Sequence, residues 1–166
     1  MELHENWHQV KGLFRESFKS SFHYAIATVN EDGEPHVTPI GSLILGRPGI
    51  GFYFEKFPQR LPRNVRHNSH VCVLAVNSAR WFWLKSLVGG GFSTFPAVRL
   101  HGIAGELRDA TEREVTLWQK RVRSVRFSKG HALMWRDMSM VRDIRFTRIE
   151  PVHLGEMTQV LWQGHA

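Results

Sequence analysis

The chain has 166 residues, of which 42% are hydrophobic, and it contains one cysteine. A chain of this length can bury one good core but hardly two, so we expect one domain over residues 1–166. One cysteine excludes an intramolecular disulfide, and no N-terminal run resembles a secretory signal, so a cytoplasmic protein is expected. The apolar runs are far shorter than the ~20 residues of a spanning helix, so we expect no membrane partner.

The charge balance is strongly basic, with 22 lysines and arginines against 15 acidic residues and a net charge of +7. Such an excess is typical of proteins that neutralise nucleic-acid phosphates. The arginines are spread along the chain, however, and no strand alternates basic with aromatic residues as a stacking platform does. A nucleic-acid partner is therefore not expected, and the sequence favours one or two local anion sites.

The first predicted elements are a helix and a β-hairpin. Apolar residues at spacings of three and four over residues 3–20 predict an amphipathic helix. A strand over Phe22–Val29 follows, and Asp32-Gly33 supplies residues that tolerate left-handed turn conformations. The return strand, roughly Pro35–Leu45, contains two prolines, which remove ladder donors and predict an edge or bulged position.

The middle of the chain predicts two more strands around a basic helix. A short strand ends at Phe54, Pro62 is suited to begin a helix over residues 62–68, and an apolar strand covers His70–Val76. The aromatic and glycine-rich segment 77–96 is less regular, and a connection of this length is usually either functional or partly structured. It is interpreted as a loop that closes over a planar ring, forms a dimer contact or packs on the core.

The C-terminal half predicts a strand, a helix and a last strand. Alternation predicts a strand over Ala97–Leu107, and Thr111 with Glu114 forms a capping box that begins a helix over about 111–127. Alternation returns in the last predicted strand, Ile144–Leu154.

Six motifs follow one another over residues 20–108: an Asp-Gly turn, Gly-Glu-Pro-His-Val-Thr-Pro, Phe-Tyr-Phe, an arginine-bearing loop, Asn-Val-Arg-His-Asn and Val-Cys-Val-Leu-Ala-Val. Their order resembles the FMN-binding split β-barrel family, which includes pyridoxamine 5'-phosphate oxidase. The resemblance implies a mainly β fold with flanking helices, namely an antiparallel split β-barrel of the Greek-key type. It also implies a homodimer with FMN at the interface.

The resemblance also implies where the cofactor binds. In that family the second strand, the Phe-Tyr strand and the loop after it contact FMN. An arginine gives the phosphate two parallel charge-assisted donors, and a threonine adds a hydroxyl. The flavin ring carries out the redox step, so no catalytic side chain is assigned, and no metal site is expected. The FMN contacts carried over by position are Thr38, Pro39, Ile40, Tyr53, Phe54, Glu55, Gln59 and Arg60.

Five departures separate this chain from true pyridoxamine phosphate oxidases, and two of them are Ala97 in place of a glutamine and a loop that is one residue longer, with Pro58 inside it. Thr38 replaces an arginine, Leu43 replaces the lysine for the substrate phosphate, and Leu61 replaces a lysine after the loop arginine. The resemblance predicts an FMN-binding oxidoreductase, and these departures leave its small-molecule substrate unidentified. Two alternatives stay open on the same fold: a deazaflavin (F420)-dependent reductase, and a haem-binding or haem-handling barrel, for which the ten histidines offer axial ligands.

Overall fold

The computed structural model describes residues 1–56, 59–123 and 138–163. Its strands are β1 (Tyr24–Val29), β2 (Pro35–Ile40), β3 (Ile44–Leu45), β4 (Ile50–Phe54), β5 (His70–Val76), β6 (Ala97–Asp109) and β7 (Met140–Pro151). Its helices are α1 (Leu3–Ser21), α2 (Arg60–His67), α3 (Arg80–Gly89), α4 (Glu112–Arg121) and α5 (Gln159–Gln163), the last preceded by a 3₁₀ turn at Gly155–Thr158. Every strand pair is antiparallel.

The seven strands form one sheet in the order β2-β1-β5-β6-β7-β4-β3, so β2 and β3 are its opposite edges. Only residues 41–43 join these edges in the chain, which span at most about 15 Å from Ile40 to Ile44. The sheet must therefore curl until its edges approach. The Ser42 hydroxyl ties this connection to the end of β4, donating to the Phe54 carbonyl (2.9 Å) and accepting from the Phe54 amide (3.1 Å). The predicted mainly β split barrel with flanking helices is confirmed.

Helix α1 closes one end of the barrel. The indole Nε1 of Trp7 donates to the Gly46 carbonyl (3.0 Å), which ties the helix to the β3–β4 turn. Burying a large apolar side chain stabilises the fold by roughly 1.5–3 kcal/mol. The buried residues of α1 that join the main core are Trp7, Val10, Phe14 and Phe18. They meet inward-facing strand residues that include Ile26, Tyr53, Val73, Leu100 and Ile144.

Helix α4 covers a second, smaller core on the other side of β4 and β7. Trp118 packs on Phe54, with ring centroids 6.0 Å apart. The predicted capping box is present, since the Thr111 hydroxyl accepts from the Glu114 amide and the Glu114 carboxylate accepts from the Thr111 amide. The described helix ends at Arg121, and residues 124–127 of its predicted range lie outside the described residues.

Several predicted boundaries change. The return strand is broken after Ile40, and at Gly41 the chain lies so close to the Phe22 carbonyl that a Cβ there would come within 2.9 Å of it. Helix α2 begins two residues before Pro62, which is tolerated in a first turn because its missing N–H has no partner there. The last strand starts at Met140 and ends at Pro151.

The less regular segment 77–96 is partly structured, because α3 occupies half of it. Phe82 and Trp83 pack on Phe92. In the sequence, the run of adjacent aromatic residues conceals the helical spacing of α3. Gly90, with a φ of 71°, ends the helix in the left-handed conformation that glycine adopts freely. Within the described ranges, no helix is long and apolar enough to cross a membrane.

Candidate functional site

The three candidates on β2 alternate between the two faces of the sheet. Thr38 pairs with the fully buried Ile26, and partners in an antiparallel pair point to the same side. Thr38 and the buried Ile40 therefore face inward, whereas the exposed Pro39 faces outward. The Thr38 side chain is half-buried at the sheet edge, where a hydroxyl remains open to a ligand.

The side chains of two candidates on β4 are buried in protein. The Tyr53 side chain is fully buried in the main core, and Phe54 is buried in the second core beneath Trp118. The Ser42 bridge holds this end of β4 beside the end of β2. The structure thus brings the ends of the two strands together, with the aromatic side chains turned into protein.

Glu55, the next candidate, is engaged by a buried arginine that the sequence reasoning missed. Two hydrogen bonds join the Glu55 carboxylate to the Arg142 guanidinium, at 2.8 and 2.9 Å, and both side chains are at least 94% buried. The same guanidinium donates to the Gly105 carbonyl (2.8 Å), and the Tyr53 hydroxyl donates to Glu55 (2.9 Å). Burial raises the pKa of Tyr53 far above its ordinary value, and Glu55 adds to that shift. The network holds β4 to β7.

Gln59 and Arg60 lie exposed at the start of α2. The helix is fixed over β1 by Asn64, whose buried amide donates to the Thr28 hydroxyl (3.0 Å). Arg60 opens into a polar cleft of about 410 Å³, which also holds Arg63 and the acidic β1–β2 turn. Among the described residues, Arg60 forms no ion pair, so its guanidinium is available for an anion.

A second arginine missed in the sequence lies at a cleft of about 560 Å³ between α1, β3 and α4. The guanidinium of Arg121 donates to the Leu43 carbonyl and to the Tyr24 hydroxyl, and it stacks 3.9 Å from the Phe18 ring centroid. Burial lowers the pKa of Arg121, yet arginine stays charged at neutral pH. In the described part of the chain, no carboxylate pairs with this cation.

The rim of the Arg121 cleft is also basic. Lys11, Arg15 and Lys19 follow one another at four-residue intervals, which places them on one side of α1. Of the nearby acids, Glu16 pairs with Arg15 (3.6 Å) and Lys19 (3.0 Å) but does not line the cleft. An apolar floor beneath a positive rim is suited to a small organic anion.

Leu43 links this cleft to the departure noted in the sequence. It stands where the resemblance implies a lysine for the substrate phosphate, and its carbonyl accepts from Arg121. Arg121, at the end of α4, therefore places a cation at the position where the resemblance implies that lysine. The four-residue spacing on α1 was a usable sequence signal, whereas the position of Arg121 depends on contacts across 78 residues.

Comparison with known proteins gives a consistent fold. A family model described as pyridoxamine 5'-phosphate oxidase matches residues 11–157. No curated protein matches the chain.

Three similar solved structures carry three different cofactor descriptions. An FMN-binding protein from Syntrophomonas wolfei is 11% identical, with a TM-score of 0.56 and coverage of 90% of this chain and 94% of that one. An F420 reductase is 11% identical, with a TM-score of 0.54 and coverage of 82% and 95%. The heme storage protein HutZ from Vibrio cholerae is 16% identical, with a TM-score of 0.51 and coverage of 91% and 95%. At these identities the likeness shows the fold alone.

Proposed function

Because this chain belongs to the pyridoxamine 5'-phosphate oxidase family, we propose that it is an FMN-dependent oxidoreductase that acts on a small anionic substrate. One observation supports both halves of the proposal. The edge strand β2 begins beside the Arg60 cleft, which His36 lines. The chain continues three residues past the end of β2 to Leu43, which lines the Arg121 cleft. Within the described ranges, neither arginine is paired with a carboxylate.

Arg60 and Thr38, at the start of this path, are the proposed contacts of the FMN phosphate. Arg60 offers a guanidinium without an ion-pair partner among the described residues, and Thr38 offers an inward-facing hydroxyl on the neighbouring strand. Leu61, at the position of the family's second cation, is fully buried and contributes packing only. FMN, when bound, supplies hydride transfer between its ring and the substrate.

The Arg121 cleft is proposed to hold the anionic group of the substrate. Arginine has five N–H donors, and Arg121 uses one for Leu43 and one for Tyr24. The remaining donors, with the lysines of the α1 rim, are suited to a carboxylate or a phosphate. Their role is binding and orientation, and no side chain of this cleft is assigned a proton-transfer step.

We also propose that the protein is a cytoplasmic, single-domain homodimer with the cofactor at the interface. The outer face of β2, β1 and β5 supports the homodimer. Register places Val37, Ala27 and Cys72 side by side on that face, and Val37 is 60% exposed. A sheet face that presents apolar side chains to solvent is typical of an interface.

The absorption spectrum of the purified protein, reconstituted separately with FMN, F420 and haem, tests the cofactor. A two-band flavin spectrum retained through gel filtration is expected with FMN. A retained deazaflavin band or Soret band in place of the flavin spectrum would contradict the proposal in favour of the corresponding alternative. Loss of all three cofactors would remove cofactor binding altogether.

A further inference from the structure

Helix α3 is anchored to the protein by one side only. With 3.6 residues per turn, Phe82, Trp83 and Ser86 share one side of the helix, and this is the buried or half-buried side. Phe82 and Trp83 pack on the Phe92 ring at centroid distances of 5.4 and 5.1 Å, and the Trp83 indole donates to the Asn77 carbonyl (2.6 Å). These contacts fix which side faces outward.

The outward side is also apolar. Its large side chains are 77%, 49%, 64% and 83% exposed, in the order Trp81, Leu84, Leu87 and Val88. A helix that is apolar on every side is ordinarily buried on every side. A contiguous apolar patch of this kind marks a surface that meets another apolar phase.

The charged residues of α3 and of the chain on either side of it are all basic. Arg80 and Lys85 lie exposed on the outward side of α3. Between Glu55 and Glu106 the sequence contains seven lysines and arginines and no aspartate or glutamate. A partner that binds this patch therefore needs to present both apolar groups and negative charge.

An anionic lipid bilayer meets both requirements, whereas a second copy of this face does not. A two-fold contact centred on α3 would place Arg80 and Lys85 against the same residues of the other copy, with no acid in residues 56–105 to separate them. Tryptophan prefers the membrane interface, and flanking basic residues are attracted to anionic headgroups.

We propose that α3 lies on the surface of an anionic bilayer, with Trp81, Leu84 and Val88 among the acyl chains and Arg80 and Lys85 against the lipid phosphates. Such a helix lies in the interface and does not span the membrane. This mode of contact is therefore compatible with the absence of a spanning helix in the described residues.

The test is co-sedimentation of the full chain with vesicles of phosphatidylcholine, with or without phosphatidylglycerol. The L84Q/V88Q variant removes apolar surface from α3, and L117Q/V160Q is the matched control because both of its sites are exposed apolar residues outside α3 and outside the proposed dimer face. We expect binding to the anionic vesicles that salt weakens. L84Q/V88Q should bind at least tenfold more weakly and L117Q/V160Q as the unchanged protein does. Brominated lipids should quench the fluorescence of the unchanged protein more than that of W81F.

Two results would overturn the proposal: the unchanged protein fails to bind anionic vesicles, or L84Q/V88Q binds them as tightly as L117Q/V160Q does. If vesicle binding fails and sedimentation velocity shows a dimer that L84Q/V88Q dissociates, the patch is a protein contact instead.

Discussion

Arg142 and Arg121 are both largely buried arginines, and they differ in what surrounds the charge. Arg142 meets the Glu55 carboxylate in two hydrogen bonds and the Gly105 carbonyl in a third. Arg121 meets only a carbonyl, a hydroxyl and an aromatic ring among the described residues. Burying a charge is costly unless it is paired. The comparison teaches that the first arginine serves the fold, whereas the second retains charge and donors for a ligand.

The largest effect is expected from breaking the paired arginine. Glu55→Gln leaves the Arg142 guanidinium buried without a counter-charge, which should lower the free energy of unfolding by about 3–5 kcal/mol. Urea unfolding followed by circular dichroism measures this. The double variant E55Q/R142M should recover part of the loss, because no unpaired charge then remains. A single-variant loss below about 1 kcal/mol would show that the pair is not isolated from solvent.

A second paired arginine, Arg108, extends the comparison to a partly exposed site. It bridges Glu114 (2.7 Å) and Asp143 (2.7 Å), and its hydrogen bonds lower the pKa of Glu114 from 4.5 to about 2. A lowered folded-state pKa gives stability that is complete above the unfolded value and is lost as the pH falls from 4.5 towards 2.

We therefore expect Glu114→Gln to cost on the order of 2 kcal/mol at neutral pH, with the difference from the unchanged protein shrinking through that acid window. Thermal melts at several pH values measure it. Glu112→Gln, in the same helical turn, is the control and should cost little. An equal cost at pH 7 and at the acid end of the window would contradict the ionic account.

Arg60 is an exposed arginine that has no counter-ion in the described structure. Arg60→Ala should weaken FMN binding by roughly tenfold or more, since a charge-assisted contact contributes about 1.5–3 kcal/mol. Quenching of FMN fluorescence during titration measures the affinity. Arg66→Ala removes the same charge from the far end of α2, outside the cleft, and should leave affinity unchanged. Equal affinities for all three proteins would remove Arg60 from the site.

Most of the fold could be predicted from local patterns. The spacing of α1, the capping box of α4 and the apolar run of β5 each depend on residues close in sequence. The break between β2 and β3 could not be predicted, because no local pattern records how close Gly41 lies to the Phe22 carbonyl. Helix α3 was missed because its aromatic residues face both the protein and the outside.

The candidate site was less predictable for the same reason. The strands that carry Thr38 and Tyr53 were identified by resemblance, and the Ser42 bridge brings them together. The Glu55 carboxylate contacts Arg142, which is 87 residues away in the sequence. Motif order located the strands, but the charge state of the site depends on long-range pairing that no local pattern records.

The most direct test of the unpaired-arginine account is calorimetric titration of FMN-reconstituted protein with inorganic phosphate and phenyl phosphate. The unchanged protein should bind phenyl phosphate more tightly than phosphate, because the floor of the cleft is apolar. Arg121→Gln should weaken both by at least tenfold while its melting temperature stays close to that of Lys120→Gln, the exposed control on the same helix. Equal phosphate affinities for Arg121→Gln and Lys120→Gln would contradict the account.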